Sequence, residues 1–346
     1  MGATIEIRVR RVGFRSGTDA ELTALHAVES PVEAERRADR VPQPLSSYMA
    51  FARSIPSRFD DHAWLAETPG GTPIASGFCW SNAAGDPRNM ECDLLVRREH
   101  RREGIGSLLL SVICEETVKQ GRSLLTWSTF DAVAAGGAFS RRVGARSARV
   151  NRTSQLTLAD VDWPMVRRWA DAKEPRARGY RIEMVDGAFP PHLRADAARF
   201  HHIMQTAPRD DLDIADVTLD SNDIAELDWA RLEGGRPRWT VLVRDPGGVC
   251  VGGTEVTFEA WDPTAGLQEN TGIESSHRGL KLAKWAKATL LERVRQERPH
   301  IQRIRTDNAF SNAPMLAINK SLGFEVISTR TEWQADVSDI AAALHR

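Results

Sequence analysis

The sequence has few cysteines and no long apolar runs. Its four cysteines, Cys79, Cys92, Cys114 and Cys250, are far apart and form no C-x-x-C pair. This spacing argues against a disulfide framework and against a zinc site, so we expect reduced thiols and no metal. No apolar run approaches the roughly 18 residues of a membrane-spanning helix. The N-terminal residues lack a signal-peptide pattern, and we therefore expect a cytoplasmic protein with no membrane partner.

A charge excess of one sign is also missing. The 46 basic and 47 acidic residues give a formal net charge of −1. Proteins that bind nucleic acid usually carry a basic excess, so we expect no nucleic-acid partner. The apolar share of 41% is enough for real cores, and 346 residues correspond to two domains at about 150 residues each.

The chain contains two copies of one pattern, in Glu91–Gly106 and Glu269–Ala283. Aligning His100 with His277 gives an offset of 277 − 100 = 177 residues, about half the chain. In both copies an apolar strand end is followed by a turn and then by a helix with one apolar face. A further strand and a short helix follow, at 124–129 and 136–143 in the first copy and at 301–306 and 313–322 in the second.

The predicted order of elements in each half is β-α-α-β-β-β-α-β-α-β, which indicates a mixed α/β (α+β) fold. We expect two domains, each a mixed, mostly antiparallel sheet flanked by helices. The predicted domains are residues 1–160 and 180–346, and a linker helix and loop occupy 161–179.

A turn rich in small residues, Arg101-x-x-Gly104-x-Gly106, stands between the strand and the helix of the first copy. Small residues let the backbone approach a ligand, and free N–H groups at a helix start bind phosphate oxygens. Neighbouring arginines add positive charge for phosphate recognition. In the second copy Lys281 takes the place of the middle glycine, and Ala283 keeps the last small position.

This succession of strand, turn, helix, strand and short helix resembles motif A and its sequel in the GNAT superfamily of acetyl-CoA-dependent N-acetyltransferases. The second half, with Thr306–Met315 and Ile318–Phe324, is similar to the carboxy-terminal half of actinobacterial tandem GNAT proteins. The resemblance implies two GNAT-like domains, acetyl-CoA as the acyl donor and no metal. It also implies direct attack of an amine on the thioester in a ternary complex.

The resemblance also implies which residues bind coenzyme A. In the first half these are Leu95, Val96, Arg97, Arg101, Arg102, Glu103, Gly104, Ile105, Gly106 and Ser107. In the second half they are Ile273, Arg278, Gly279, Leu280, Lys281, Ala283, Asn308 and Asn312. The pyrophosphate is expected on the amides of residues 101–107, and the pantetheine arm on the backbone of residues 95–97.

Acetyl transfer needs an oxyanion donor and a group that takes the proton of the amine. The N–H of Val96 or Ile273 is the expected oxyanion donor. Glu91, Asp93 and Glu269 are the candidate bases, and the alternative is that each is an exposed charge at a strand end.

Many GNAT enzymes use a tyrosine of the short helix as general acid. Here Phe139 and Asn319 stand at the corresponding positions of the two halves, and neither is a tyrosine. Asn319 is therefore a catalytic candidate in the second half. The missing tyrosines also favour the interpretation that one half is catalytically inactive.

The expected function is transfer of an acetyl group from acetyl-CoA to the amine of a small molecule by a monomer or homodimer. The alternatives are an acyl-CoA-binding pseudoenzyme and a protein-lysine acetyltransferase. Six aspartates within residues 210–223 form an acidic stretch that is suited to attracting a cationic amine. The alternative is a solvated loop with helix caps such as Ser221 or Asp223.

Overall fold

A computed structural model describes residues 6–345. The chain divides into two compact units. The first contains the described residues up to Val150, the segment Asp211–Asp216 and the described residues from Arg330 onward. The second contains Asn151–Asp210 and Val217–Thr329. The units therefore alternate along the sequence, whereas the predicted domains are two continuous halves.

The elements follow the predicted order in both halves of the sequence. In chain order the strands are β1 (Arg8–Val12), β2 (Phe59–Glu67), β3 (Pro73–Asn82), β4 (Asn89–Val96), β5 (Leu124–Phe130), β6 (Arg146–Thr157), β7 (Arg181–Asp186), β8 (Arg238–Arg244), β9 (Cys250–Glu259), β10 (Asp262–Ile273), β11 (Arg303–Ala309) and β12 (Glu325–Asp336). The helices are α1 (Asp19–Arg36), α2 (Leu45–Ser54), α3 (Ile105–Lys119), α4 (Ala134–Arg142), α5 (Trp163–Asp171), α6 (Lys173–Ala177), α7 (Arg194–Met204), α8 (Ser221–Glu233), α9 (Leu282–Glu297), α10 (Ala313–Leu322) and α11 (Val337–Leu344).

The sheet of the first unit has the strand order β1-β2-β3-β4-β5-β12. All neighbouring pairs are antiparallel except β4 and β5, which are parallel. The sheet of the second unit has the order β6-β11-β10-β9-β8-β7, in which β10 and β11 are the parallel pair. The predicted mixed, mostly antiparallel sheets flanked by helices are thus confirmed.

Each sheet includes a strand from the other half of the sequence. Residues Arg330–Asp336 of β12, near the end of the chain, pair with Leu124–Phe130 of β5 in the first unit. Residues Asn151–Thr157 of β6, near the middle of the chain, pair with Arg303–Ala309 of β11 in the second unit. This exchange of strands explains why the units are not continuous in sequence.

The helices bury the apolar faces that their sequences predict. Ile105, Leu109 and Ile113 of α3 are fully buried, in one cluster with Ile74 of β3 and Leu125 of β5. The predicted linker helix is α5, and it packs on α9 in the second unit. No helix within residues 6–345 combines the length and the apolarity that crossing a bilayer requires.

Candidate active site

The parallel strands β4 and β5 diverge after a short paired stretch. Their pairing covers only Asn89–Glu91 with Leu124–Thr126, although β4 continues to Val96 and β5 to Phe130. Within the described residues, no strand therefore pairs with the edge of β4 beyond Glu91 on the β5 side. Two cavities of the first unit lie at this divergence, and we call them the turn cavity and the strand cavity.

The turn cavity has a volume of about 200 Å³. It is lined by the turn before α3, by the end of β5 and by α4. Among the predicted coenzyme-binding residues, those that line it are Val96, Arg101, Arg102, Gly104, Ile105, Gly106 and Ser107.

Three predicted coenzyme-binding residues of the first half do not line this cavity. The Leu95 side chain is buried in the core below the sheet. The Arg97 guanidinium pairs with Glu99 at 2.9 Å, and the Glu103 carboxylate lies 3.4 Å from His100. The Arg97 N–H is also taken, since it donates to the Ile74 carbonyl of β3.

The turn before α3 exposes consecutive backbone N–H groups. Arg101 donates its N–H to the Arg98 carbonyl, and Ser107 donates its own to Gly104. The N–H groups of residues 102–106 between them have no acceptor within the described part of the chain. A row of free N–H groups at a helix start binds phosphate oxygens. Of the seven N–H groups, 101–107, that the sequence predicts as phosphate donors, the five of residues 102–106 are free to bind a ligand.

The Arg101 side chain fixes this turn. Its Nε donates to the Val96 carbonyl at 3.0 Å, and its two terminal nitrogens lie 2.8 and 2.6 Å from the carboxylate of Glu35 on α1. These contacts use three of the five N–H groups of the guanidinium and pair its charge with Glu35. Arg101 therefore holds the shape of the loop.

The second unit has the same turn, with two residues of positive φ, but its glycine is the first of the two instead of the second. In the first turn Arg102 has φ +73° and Gly104 has φ +82°; in the second, Gly279 has φ +81° and Lys281 has φ +61°. Arg278 donates its Nε to the Ile273 carbonyl at 3.0 Å, as Arg101 does to Val96. The backbone conformation is thus kept although Lys281 replaces a glycine.

The strand cavity has a volume of about 410 Å³ and is lined mainly by β4, β5, β12 and the end of α1. Its lining combines four carboxylates, four arginines, three aromatic rings and two aliphatic side chains. These are Glu33, Glu91, Asp93, Glu332, Arg36, Arg37, Arg149, Arg330, Trp80, Trp127, Phe130, Leu212 and Ile214. Arg36, Asp93, Trp127, Ser128 and Phe130 line both cavities, which therefore adjoin.

Glu91 is the candidate base whose carboxylate is free. Its side chain is open to the strand cavity, and it has no hydrogen bond or ion pair within the described residues. The surrounding protein desolvates the carboxylate and thereby raises the pKa of Glu91; the nearby charge of Glu332 raises this pKa further, and Arg330 opposes both effects. A raised pKa brings a carboxylate closer to the range in which it accepts and returns a proton at neutral pH.

Asp93 and Glu269, the other two candidate bases, are both ion-paired. Asp93 accepts two hydrogen bonds of 2.8 Å from Arg36. Glu269 accepts from Nη1 of Arg231 at 3.1 and 3.0 Å. In both cases the oxygens of the carboxylate already accept hydrogen bonds from a guanidinium, whereas those of Glu91 accept none from residues 6–345.

The predicted oxyanion donors have a suitable direction. Arg97 donates its N–H to the Ile74 carbonyl of β3, and alternate N–H groups of a strand point to opposite sides. The N–H of Val96 therefore points towards β5, into the divergence. Glu274 donates to Val251 in the same manner, which directs the N–H of Ile273 towards β11.

The asparagines of the second unit bind mainly one another and the backbone. Asn319 is buried and donates its Nδ2 to Oδ1 of Asn308 at 2.7 Å, while its own Oδ1 has no partner among residues 6–345. Asn312 is the N-cap of α10 and accepts from the N–H of Met315.

The Phe139 ring of α4 lines the turn cavity, but the position that matches Asn319 is Ser140, because Ala145 and Phe324 donate their N–H groups to the carbonyls of Ser140 and Asn319. The Ser140 hydroxyl donates to the Gly136 carbonyl.

The acidic stretch separates into parts with different roles. Asp220 is the N-cap of α8 and forms a capping box with Asp223, so these two carboxylates are structural. Asp213 pairs with Arg88 at 3.4 Å. Residues 211–216 belong to the first unit, where Leu212 and Ile214 line the strand cavity.

Sequence reasoning missed most of the strand-cavity lining. Arg330 and Glu332 reach the cavity because β12 joins the first sheet, and no local pattern encodes that pairing. Arg149 of β6 lines the cavity as the ion-pair partner of Glu332. Arg36 could have been found from the sequence, because basic residues are common in the last turn of a helix. It is the partner of Asp93.

The comparisons with known proteins agree with this geometry. A family model described as the acetyltransferase (GNAT) family matches residues 29–144. The chain is similar to a tandem GNAT protein from the clavulanic acid biosynthesis pathway, with a TM-score of 0.77 and 21% identity over 96% of this chain and 99% of that one. It is also similar to a GCN5-related N-acetyltransferase from Sphaerobacter thermophilus, with a TM-score of 0.63 and 13% identity over 97% of each chain. No curated protein matches the sequence significantly.

The family match covers both cavities' central elements, from the end of α1 through β3, β4, the turn, α3 and β5 to α4. The structural matches extend the fold likeness to nearly the whole chain. Residues 29–144 therefore match a domain of the acetyltransferase (GNAT) family, whose members transfer acyl groups from acyl-coenzyme A, and the fold of the chain is similar to that of a tandem GNAT protein.

Proposed function

We propose that the first unit transfers an acetyl group from acetyl-CoA to the amine of a small molecule. The observation that carries this proposal is the free carboxylate of Glu91 in a cavity that adjoins the turn cavity. The turn cavity supplies five free N–H groups for the pyrophosphate of the donor. The strand cavity, at about 410 Å³, is of the size that small-molecule ligands occupy.

The proposed reaction is direct attack without a covalent enzyme intermediate. The amine nitrogen forms a bond to the thioester carbonyl carbon, and the oxyanion that develops there accepts the N–H of Val96. The carboxylate of Glu91, directly or through water, takes the proton that the amine nitrogen loses. The carbon–sulfur bond then breaks, and the coenzyme A thiolate takes a proton from solvent, because Phe139 offers no hydroxyl and the Ser140 hydroxyl donates to the Gly136 carbonyl.

The second unit is proposed to bind acyl-CoA without transferring the acyl group. Its turn keeps the backbone conformation of the first, since Gly279 and Lys281 have the positive φ angles of Arg102 and Gly104. Its candidate base Glu269, however, is held by Arg231. This contrast favours catalysis in the first unit and a binding role in the second.

A matched pair of substitutions tests the proposal. Gly104→Glu and Lys281→Glu place a carboxylate at equivalent positions of the two turns, since 281 − 104 = 177. We expect Gly104→Glu to reduce coenzyme A release with a panel of primary amines at least tenfold, because its charge repels phosphate and its backbone needs a positive φ. Lys281→Glu is expected to leave turnover largely intact and to weaken one acetyl-CoA site in calorimetry. If Lys281→Glu reduced turnover tenfold and Gly104→Glu left it intact, the proposal would be overturned.

A further inference from the structure

The strand cavity has a wall made by a segment that is remote in sequence. Residues 211–216, which we call the strap, lie between α7 and α8 in the chain but belong to the first unit. Its first residue is held at both backbone groups. The Asp211 N–H donates to the Ala148 carbonyl at 3.0 Å, and its carbonyl accepts from Nη1 of Arg146 at 2.6 Å.

The middle of the strap is held by Gln334 of β12. The Asp213 N–H donates to Oε1 of this side chain at 3.1 Å, and the Asp213 carbonyl accepts from its Nε2 at 3.0 Å. Gln334 is itself buried. Two residues further on, the Ala215 N–H donates to Oδ2 of Asp86 at 3.0 Å. The backbone groups of Asp211, Asp213 and Ala215 thus attach the strap to the first unit.

Leu212 and Ile214 of the strap face the cavity. Leu212 and Ile214 are half-buried and line it, whereas Asp211, Asp213 and Ala215 are exposed. This alternation is that of an extended segment, in which successive side chains point to opposite sides. The backbone attachments therefore fix the position of two aliphatic side chains.

Those aliphatic groups share the cavity with the candidate base. Leu212 and Ile214 form its apolar lining together with the rings of Trp80, Trp127 and Phe130, and Glu91 supplies the free carboxylate. An acceptor amine placed at Glu91 thus has apolar surface for its carbon substituent. Such surface favours an apolar group by burial and limits its size by contact.

We propose that Leu212 and Ile214 determine which amines the first unit accepts, selecting a primary amine whose carbon substituent is apolar and small enough to fit within the strap. This inference rests on the proposed acetyl transfer at Glu91. It assigns specificity to a segment outside the 29–144 match to the family model. Gln334 is a positioning residue in this arrangement, because it touches the strap and not the acceptor.

The test compares propylamine with the bulkier 3,3-diphenylpropylamine as acceptors. Leu212→Ala and Ile214→Ala enlarge the cavity, so we expect each to raise the ratio of kcat/KM for the bulky over the small amine at least tenfold, with acetyl-CoA KM unchanged within twofold. Val217→Ala is the matched control, since Val217 is a half-buried aliphatic residue just after the strap. Gln334→Ala is expected to raise KM for both amines with little change in kcat. Unchanged ratios in both cavity variants would overturn the inference.

A second readout separates this inference from the proposed function. If the wild-type protein acetylates no amine of the panel, the proposed function fails, and binding of these two amines then tests the wall alone. Saturation-transfer NMR on protein saturated with coenzyme A measures the affinity of both amines. We expect Leu212→Ala to favour the bulky amine at least tenfold here as well. Equal preference in wild type and variant would overturn the inference in this readout too.

Discussion

Arg36 holds both carboxylate oxygens of Asp93, each at 2.8 Å. The guanidinium is largely buried, and its second partner is Glu33 of the same helix. Two residues earlier on the same strand, Glu91 lacks any such partner within the described residues. The two carboxylates of β4 therefore have different roles. Asp93 links α1 to β4 through its ion pair with Arg36, whereas Glu91 is free to accept a proton.

Replacing Asp93 is expected to change stability and acceptor binding but not the acid limb of the pH–rate profile. Asp93→Asn removes one partner of a largely buried arginine, which costs about 1–3 kcal/mol. The melting temperature should fall and the acceptor KM should rise. The pH at which kcat/KM declines should stay as in wild type; a shift in that pH would assign the titrating group to Asp93 instead.

Replacing Glu332 is expected to shift the pH at which kcat/KM falls on the acidic side of the pH–rate profile. Burial and the Glu332 charge both raise the pKa of Glu91, so kcat/KM should fall as the pH drops through a value above that of an ordinary carboxyl. Glu332→Gln removes the repulsion and releases Arg149 and Arg330 from their pair. Both changes lower the pKa of Glu91, and the limb should move to lower pH. A limb that stays in place or moves to higher pH would contradict the assignment.

The first turn should tolerate alanine at one glycine and not at the other. Gly104 has φ +82°, so Gly104→Ala is expected to cost about 1–2 kcal/mol although its Cβ would meet no atom within 4 Å. Gly106→Ala is the matched control, because its Cβ would make only an ordinary 3.7 Å contact with Phe139. Thermal unfolding compares them, and equal losses in the two variants would refute the conformational argument.

A buried lysine in the second unit should make that unit's stability pH-dependent. Lys287 is 2% exposed, and desolvation lowers its pKa to about 7. In the unfolded chain the lysine keeps its proton up to about pH 10.4. The free energy of unfolding therefore rises between about pH 7 and pH 10.4, and it is lowest below about pH 7. Lys287→Met should therefore raise the melting temperature clearly at pH 6.5 and much less at pH 9.5. A gain that is equal at the two pH values would mean that the charge is not the cause.

Local sequence patterns predicted the two turns and the elements around them well. The small residues between an apolar strand end and an amphipathic helix located both turns, because their backbone conformation is set within a few residues. Even so, Lys281 shows that the left-handed position does not need glycine, which the pattern alone would not reveal.

The strand cavity was less predictable, for a physical reason. Its charged lining depends on β12 joining the first sheet, and its aliphatic wall depends on the strap. Both are long-range pairings, and a strand's period of two does not specify its partner. In the acidic stretch, the alternative of helix caps is confirmed for Asp223, which forms the capping box of α8 with Asp220, whereas Asp213 pairs with Arg88.

The central claim is that Glu91 of the first unit takes the proton of the acceptor amine. Single-turnover acetyl transfer at saturating acetyl-CoA and amine, compared between Glu91→Gln and Glu269→Gln, tests it most directly. We predict that Glu91→Gln lowers the rate by about 10²-fold or more, the scale for loss of a general base, with acetyl-CoA affinity unchanged. Glu269→Gln should stay within about threefold of wild type, below the scale of a lost base. A wild-type rate in Glu91→Gln, with the loss found in Glu269→Gln, would contradict the account.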